Sequence, residues 1–505
     1  MSGRDWTLAE TVQALPGSHL IGDGYERVRL SSVVTDSRMA TPGCMFVALP
    51  GTRLDGAQFA EDAVRGGARA VVTMRKIDGL DVPQVIVSDA RRALARIALA
   101  WYGSPERDLT LVGVTGTNGK TTTVRLLAAM AGGAGHVSGT VGTLGASFRG
   151  ETISFDTVWN TTPEAYQLRR LIAHLRDQGA TFVAMEVSSH GLALDRVWNM
   201  RFAAAAFTNL TQDHLDFHAT IEDYFRAKAL LFAALEPDAV AAINIDDPYG
   251  QRLLTMTSGR VISYGWSDRA EVRPVEVRHI GRIRGEVRTP AGRVELDMPL
   301  VGRFNVENTL AAISVGVGLG MTTDQIGAGL REATSAPGRF EPLDAGQDFT
   351  VVVDYAHTPD ALENVLSEAR EMSRGKVICV VGCGGDRDPY KRPRMGEIAT
   401  RIADRTVFTS DNPRTEDPER ILDAIIAGAT GGNPFERCEP RREAIRRAIG
   451  HASTGDVVVI AGKGHEPYQE IGHVRHPFDD RVEARAALRA HVASREPAGA
   501  AQDCR

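Results

Sequence analysis

The stretch that most constrains this chain is Leu109-Thr-Leu-Val-Gly-Val114, followed by Thr115-Gly-Thr-Asn-Gly-Lys-Thr-Thr122. An apolar run of this length without polar alternation reads as a strand buried on both faces, as in a parallel sheet. Gly113, Gly116 and Gly119 then open a turn, and a helix is expected from about Lys120. A strand, a glycine-rich turn and a helix in that order gather backbone N–H groups and a helix N-terminus at one point, which is a receptor for phosphate. Lys120 is placed to bridge outer phosphates, and the Thr121 hydroxyl to ligate Mg²⁺. The spacing departs from the standard phosphate loop: counting back from Gly119-Lys120, the first glycine would fall on Val114.

A chain of 505 residues is too long for one hydrophobic core, so about three domains are expected. Residues 1–107 carry brief β-branched runs at Val33-Val34, Met45 to Leu49, Ala70 to Val72 and Gln84 to Val87. A helix over Arg91 to Tyr102 ends at the linker Gly103-Ser-Pro105. This predicts a smaller N-terminal α/β domain. Residues 108–337 read as a central domain of the P-loop type. Its further strands lie at Phe182 to Met185, Ala204 to Phe207, Ala239 to Ile243 and Val261 to Tyr264, with helices between the first of them. Spaced apolar residues over about 270–300 predict an antiparallel patch turning at Thr289-Pro-Ala-Gly292. Residues 338–495 carry buried runs at Thr350 to Val353, Lys376 to Val381, Arg405 to Phe408 and Asp456 to Ile460, the pattern of a doubly wound, Rossmann-like C-terminal domain. Residues 496–505 read as a disordered tail.

Composition excludes several classes. Lys plus Arg number 58 against 64 Asp plus Glu, a net charge of −6, so no basic field argues for nucleic acid. No run reaches the roughly 18 apolar residues of a membrane span, and the N-terminus has no signal pattern. The five cysteines are scattered, and Cys379 and Cys383 have no second Cys/His pair at metal-ligand spacing. They read as inert buried thiols in a cytoplasmic, reducing setting.

Two further strand ends carry ionisable groups. Glu186, in Glu186-Val-Ser-Ser-His190, stands where a parallel sheet opens its ligand crevice. Asn209-Leu-Thr-Gln-Asp-His-Leu-Asp216 follows the next strand, and His214 is the best candidate there for a second metal ligand. Lys228 sits in an amphipathic pattern, Tyr224 to Phe232, and on the residues alone reads as a surface lysine.

Together these motifs resemble the Mur ligase family of ATP-dependent amide ligases in peptidoglycan synthesis. The likeness spans nearly the whole chain and also rests on Asn305-Val-Glu-Asn308, Gly338-Arg-Phe-Glu341, Asp354-Tyr-Ala-His357 and Gly462-Lys-Gly-His-Glu466. Within the family the chain is similar to the MurE type, which extends UDP-N-acetylmuramoyl-L-alanyl-D-glutamate by one amino acid. The resemblance implies a cytoplasmic, monomeric enzyme of cell-wall biogenesis, and hence of cell shape and division, that binds only small-molecule substrates. It also implies that the three domains serve the UDP-sugar, ATP and the incoming amino acid in turn.

Site residues follow from the resemblance position by position. Gly116, Thr117, Asn118, Gly119, Lys120, Thr121, Thr122, Asn308, Arg339 and Asp354 match ATP contacts, with His357 beside them. Thr35, Ser37, Thr52, Arg53 and Leu54 match the uridine segment, and Thr161, Thr162, Ser188 and Arg196 the muramoyl-peptide contacts. Leu194 stands where some members have Gln. Lys120, Glu186, His214 and Lys228 form the implied catalytic set. Lys228 is expected to be carbamylated by CO₂; Thr121 and Glu186 would hold one Mg²⁺, and His214 with the carbamate another.

For the third substrate, Asp411, Asn412, Pro413 and Arg414 match the motif that marks the meso-diaminopimelate type, with Arg387, Gly462 and Glu466 completing the subsite. An arginine fork pairs bidentately with a carboxylate. Diaminopimelate has a second carboxylate at its far end and L-lysine does not. Two alternatives stand beside this reading: another member of the superfamily, such as a folylpolyglutamate synthase, and a nucleotide-binding scaffold without turnover.

Overall fold

The computed structural model describes residues 6–22, 25–51, 54–154, 160–214, 217–280 and 282–495. Thr52, Arg53, Asp216 and the tail lie outside the described residues. The brief N-terminal runs become β1 (His19–Ile21), β2 (Ser32–Val34), β3 (Cys44–Val47), β4 (Ala70–Thr73) and β5 (Gln84–Ile86), ordered β1-β5-β4-β3-β2. Only β1 pairs antiparallel. Helix α1 (Ala90–Tyr102) packs on this sheet; the Asp89 side chain caps it, and it stops at Gly103.

The constraining run forms β6 (Thr110–Thr115) and leads into α2 (Lys120–Gly133). Around β6 lie β7 (Ser138–Gly142), β8 (Gly145–Phe148), β9 (Glu151–Ile153), β10 (Phe182–Glu186), β11 (Ala204–Phe207), β12 (Val240–Asn244) and β13 (Arg260–Tyr264), ordered β9-β8-β7-β10-β6-β11-β12-β13. The strands from β7 to β13 in that order are parallel, and β8 and β9 extend the edge antiparallel. Helices α3 (Ala165–Asp177) and α4 (Ile221–Ala233) pack on one face. α2 and α5 (Arg303–Gly318) pack on the other, together with β14 (Arg273–Arg278), β15 (Ile283–Thr289) and β16 (Gly292–Met298). The last three form an antiparallel meander with its turn at Thr289–Gly292, as the spacing predicts. Strands β7 to β9 were not visible in the sequence. Their Gly, Ser and Thr content is that of a loop, and they become strands because β7 pairs along the buried β10.

The C-terminal sheet comprises β17 (Glu341–Leu343), β18 (Thr350–Asp354), β19 (Val377–Val381), β20 (Arg405–Phe408), β21 (Phe435–Arg437) and β22 (Val457–Ala461), ordered β17-β18-β22-β19-β20-β21. It is parallel except for β17. Helices cover both faces: α6 (Pro359–Met372) on one, α7 (Arg441–His451) and α8 (Asp480–Arg495) on the other. A hairpin, β23 (Tyr468–Ile471) and β24 (Val474–Pro477), adds a flap that the sequence reading lacked.

The units share apolar and polar seams. Tyr166 of α3 packs in the N-terminal core, and its hydroxyl accepts from Tyr102 at 3.0 Å. Arg169, 1% exposed, donates to the carbonyls of Gly103, Trp198 and Asn199 and pairs with Glu106. On the C-terminal side Phe304 meets Phe340 edge to face at 5.1 Å, and Asp360 Oδ2 accepts from Thr211 Oγ1 at 2.8 Å. No helix among the described residues is long and apolar enough to cross a membrane. Cys379 and Cys383 are buried, and burial pushes both thiols up to about 12. Among the described residues no group of three or more His, Cys, Asp or Glu side chains could hold a metal.

Arg441 and Asp480 tie α7 to α8 with both side chains fully buried, at 2.7 and 2.6 Å. Removing one partner leaves an uncompensated buried charge. Asp480→Ala should therefore lower the unfolding free energy of the C-terminal unit by about 3–5 kcal/mol. Arg441→Met combined with Asp480→Leu should recover most of that. Urea-unfolding midpoints check both, and a single-variant loss under about 1 kcal/mol would refute the assignment.

Candidate active site

The phosphate loop lies at the C-terminal edge of β6, and its backbone is held from behind by the segment after β11. Thr117 N–H donates to Asn209 O at 2.8 Å, Asn118 N–H to Asn209 Oδ1 at 2.9 Å, and Thr208 Oγ1 to Asn118 O at 2.6 Å. Gly119, with φ +86°, precedes α2; a Cβ there would overlap Asn308 Oδ1 on α5. The first N–H groups of α2 have no intrahelical acceptor and face the crevice. Lys120 Nζ folds onto its own loop, donating to Gly116 O at 2.9 Å and Thr117 O at 2.8 Å.

Glu186 closes β10 one strand away, 1% exposed, in register with Val114. Its carboxylate accepts from Thr121 Oγ1 at 2.9 Å, Thr143 N–H at 2.9 Å and Thr143 Oγ1 at 3.1 Å. Thr121 and Glu186 are hard oxygen donors beside the phosphate loop. They suit Mg²⁺, which keeps several waters and needs only one or two protein ligands. Thr143, which orients Glu186, escaped the sequence reading. It sits just past the unpredicted strand β7, and only the fold brings it there.

Lys228 corrects the reading of its own helix. It is 1% exposed, not superficial: Tyr224, Phe225, Ala227, Ala229, Leu231 and Phe232 are buried with it. Its Nζ donates to Gly116 O at 2.8 Å and lies 4.4 Å from the Tyr224 ring centre. Burial drives this ammonium well below the usual lysine range; the Lys120 charge acts in the same direction and Asp213 opposes them. Burial thus weakens its hold on the proton. His214, in the left-handed region at φ +54°, is close to half exposed. Its ring stands 6.0 Å from that of Tyr224, so Tyr224 lies beside both His214 and Lys228.

A cavity of about 650 Å³ gathers these groups. Thr117, Asn118, Gly119, Lys120, Thr121, Thr122, Glu186, His214, Lys228 and Asn308 line it from the central unit, and Arg339, Asp354 and His357 from the C-terminal unit. Gly116 contributes through its carbonyl. Arg339 stacks over Tyr355 at 4.7 Å, and its buried Nε has no hydrogen-bond partner, an orphaned donor suited to an anion. Asp354 accepts from Phe340 N–H and Ala356 N–H, both at 2.7 Å, and burial raises its carboxyl. It thus fastens the chain where it enters the C-terminal sheet as well as facing the cavity.

The muramoyl-peptide candidates border the same space. Thr161 and Ser188 line it; Thr162 Oγ1 donates to Glu186 O at 3.0 Å. Arg196 donates to Thr162 O at 2.9 Å and pairs with Glu164 at 2.6 Å. Thr35 and Ser37, half-buried, and Leu54, exposed, lie on the N-terminal unit and do not line the cavity.

The remaining candidates form a second cluster at the strand ends of the C-terminal sheet. Asn412 Nδ2 donates to Glu466 Oε2 at 2.8 Å. A Cβ on Gly384 would sit 3.0 Å from Arg414 Nη1 and 3.8 Å from Arg387 Cγ, so both arginines pass the same glycine. Arg414 donates to Gly385 O at 2.7 Å, and its main chain pairs with the flap strand β23. Pro413 backs against Gly385, and Gly462 against Asp411. Tyr355, which lines the large cavity, reaches this cluster through its hydroxyl, 3.5 Å from Glu466 Oε1.

A nucleotide crevice at the strand ends of one parallel sheet, facing a second doubly wound sheet with its own polar cluster, defines a two-site α/β enzyme. Family models match three stretches: the Mur ligase family, catalytic domain, at residues 29–102; the Mur ligase middle domain at 114–316; and the Mur ligase, glutamate ligase domain, at 338–464. The chain belongs to the Mur ligase family. A relative from Thermosynechococcus vestitus named UDP-N-acetylmuramoyl-L-alanyl-D-glutamate--2,6-diaminopimelate ligase is 47% identical over 93% of this chain and 96% of its own length. One of the same name from Geobacillus kaustophilus is 46% identical over 90% and 94%. A solved structure of a ligase with that name covers 97% of this chain and 100% of its own, at 33% identity and a TM-score of 0.66.

Gly119→Ala should weaken binding of a nucleoside triphosphate at least tenfold, since Asn308 occupies the space a Cβ needs. Titration calorimetry with Mg²⁺ checks this; unchanged affinity would remove the loop from the nucleotide site.

Proposed function

We propose that this chain joins meso-diaminopimelate to the γ-carboxylate of the D-glutamate in UDP-N-acetylmuramoyl-L-alanyl-D-glutamate, with ATP as co-substrate, in peptidoglycan precursor synthesis. The observation that carries the reading is the cluster of Arg387, Asp411, Asn412, Arg414 and Glu466, joined through Tyr355 to the nucleotide cavity. It offers arginine forks and a carboxylate side by side, the complement of an amino-acid centre with both an ammonium and a carboxylate. The names of the relatives support the same assignment.

In the reaction the γ-carboxylate attacks the terminal phosphorus of ATP, the P–O bond to the β-phosphate breaks, and ADP leaves as an acyl phosphate forms. The amine of diaminopimelate attacks the acyl carbon, the amide C–N bond forms, and phosphate leaves. Little covalent work falls to the protein; positioning and charge neutralisation carry the catalysis. The first amides of α2 and the Lys120 ammonium receive the phosphates, Arg339 supplies its free donor, and Thr143 keeps the Glu186 carboxylate aimed at Thr121. Mg²⁺, held by Thr121 and Glu186, would screen the phosphate oxygens when bound. Thr161, Thr162, Ser188 and Arg196 would present the acyl acceptor to the phosphate loop, while the N-terminal unit takes the uridine end through Thr35, Ser37 and Leu54. The seam between the central and C-terminal units shields the labile anhydride from water.

Lys228 suits carbamylation for a physical reason. Only the neutral amine adds to CO₂, forming an N–C bond and releasing a proton, and burial favours the neutral form. The product carboxylate would bring negative charge beside Lys120, and His214 stands on the other side of Tyr224.

Phosphate release with the UDP-linked dipeptide and ATP should require meso-diaminopimelate, with L-lysine and L-ornithine at least about a hundredfold less efficient in kcat/KM. Turnover with a folate and glutamate instead would overturn the assignment. Arg414→Ala should raise KM for meso-diaminopimelate at least about tenfold with kcat less affected; an unchanged KM removes the carboxylate contact. Lys228→Ala should lose at least about a hundredfold in kcat, partly regained with added short carboxylates. Full activity in the variant would sink the carbamate.

A further inference from the structure

Lys463 has no part in the roles above, although it is completely buried within the amino-acid cluster. It follows β22 between Gly462 and Gly464, whose φ values are +119° and +54°. A Cβ on Gly462 would lie 2.5 Å from Asp411 Oδ2, so the turn presses the main chain against Asp411 and sends the lysine side chain inward. Its Nζ donates to Asn412 Oδ1 at 2.9 Å and to Glu466 Oε2 at 3.3 Å, and stands 3.9 Å from Asp411 Oδ1.

These contacts decide how the neighbours face. Asn412 Oδ1 accepts from Lys463 and from Glu470 N–H at 2.9 Å, which turns its Nδ2 toward Glu466. An ammonium can only donate, so it fixes which end of the amide points where. Glu466 Oε2 then has two donors, and Oε1 is left on the side of the Tyr355 hydroxyl. Asp411 lies beyond hydrogen-bond range of the ammonium. Lys463 thus sets a buried positive charge beside Asp411 and Glu466, in the cluster that also holds Arg387 and Arg414.

We propose that Lys463 is a positioning residue of the amino-acid subsite: by holding Asn412 and Glu466 in one orientation and adding its charge opposite Glu466 and Asp411, it fits the subsite to an ammonium accompanied by a carboxylate. The inference rests on the reading under Proposed function. Without Lys463 the pocket would lose one positive charge and the donor that orients Asn412 and Glu466. It would favour a bare cation such as the side chain of L-lysine over the zwitterionic end of meso-diaminopimelate.

Lys463→Met and Lys463→Gln test this in the full-length enzyme. Both should raise KM for meso-diaminopimelate at least about tenfold, leave KM for ATP and for the UDP-linked dipeptide within about twofold, and narrow the preference for meso-diaminopimelate over L-lysine. A role confined to packing would instead lower thermal stability and kcat with every KM and the preference intact, and that result overturns the proposal. Failure of both variants to fold, scored by thermal melting, also counts against it, because Lys463 would then serve the fold itself. No wild-type turnover with meso-diaminopimelate would overturn the functional reading. Wild-type turnover with an unchanged variant KM would overturn the role of Lys463 alone.

Discussion

Two lysine amino groups converge on one carbonyl oxygen. Lys120 and Lys228 both donate to Gly116 O, at 2.9 and 2.8 Å, in a pocket where the Glu186 carboxylate is aimed at Thr121. Like charges at that separation in a buried place repel unless something intervenes. The protein answers by lowering the proton affinity of both lysines through burial, most strongly at Lys228. Two amino groups on one carbonyl suit this corner of the pocket to a polyphosphate and to chemistry that converts an amine into an anion.

The surrounding architecture exists to hold that arrangement. β6 delivers Gly116, β10 delivers Glu186 in register beside it, and β11 leads to Asn209, which clamps the loop. Parallel pairing aligns the three strand ends, so residues separated by some ninety positions in the chain share one crevice. Across the cavity Tyr355 stacks under Arg339 and touches Glu466, a physical path from nucleotide to amino-acid cluster. The second cluster follows a similar rule: Lys463 is a buried cation whose neighbours are arranged around it.

Much of this was legible beforehand because it is local. The β6 run, the loop and the start of α2 are contiguous, and their apolar and glycine pattern leaves few alternatives. Glu186 ends a buried strand and Asp411 to Arg414 follow closely after another, so their place at a crevice follows from the strand pattern. Lys228 shows the limit: α4 is amphipathic, with Asp223, Arg226, Leu230 and Ala233 exposed, but the lysine stands on its buried side and reaches Gly116 O. Thr143 and Lys463 were missed for related reasons, one following a strand of loop-like composition and the other being a lysine in a turn.

The sequence by itself determined the layers, the doubly wound order of buried strands and helices, and the residues that end those strands, because short-range patterning controls secondary structure and burial. Tertiary structure alone decided which charges meet. The sharing of Gly116 O by two lysines, the capture of Glu186 by Thr143, and the enclosure of Lys463 by Asn412, Glu466 and Asp411 depend on distances between remote segments. Periodicity does not encode those distances, and burial converts them into altered proton affinities and fixed hydrogen-bond directions.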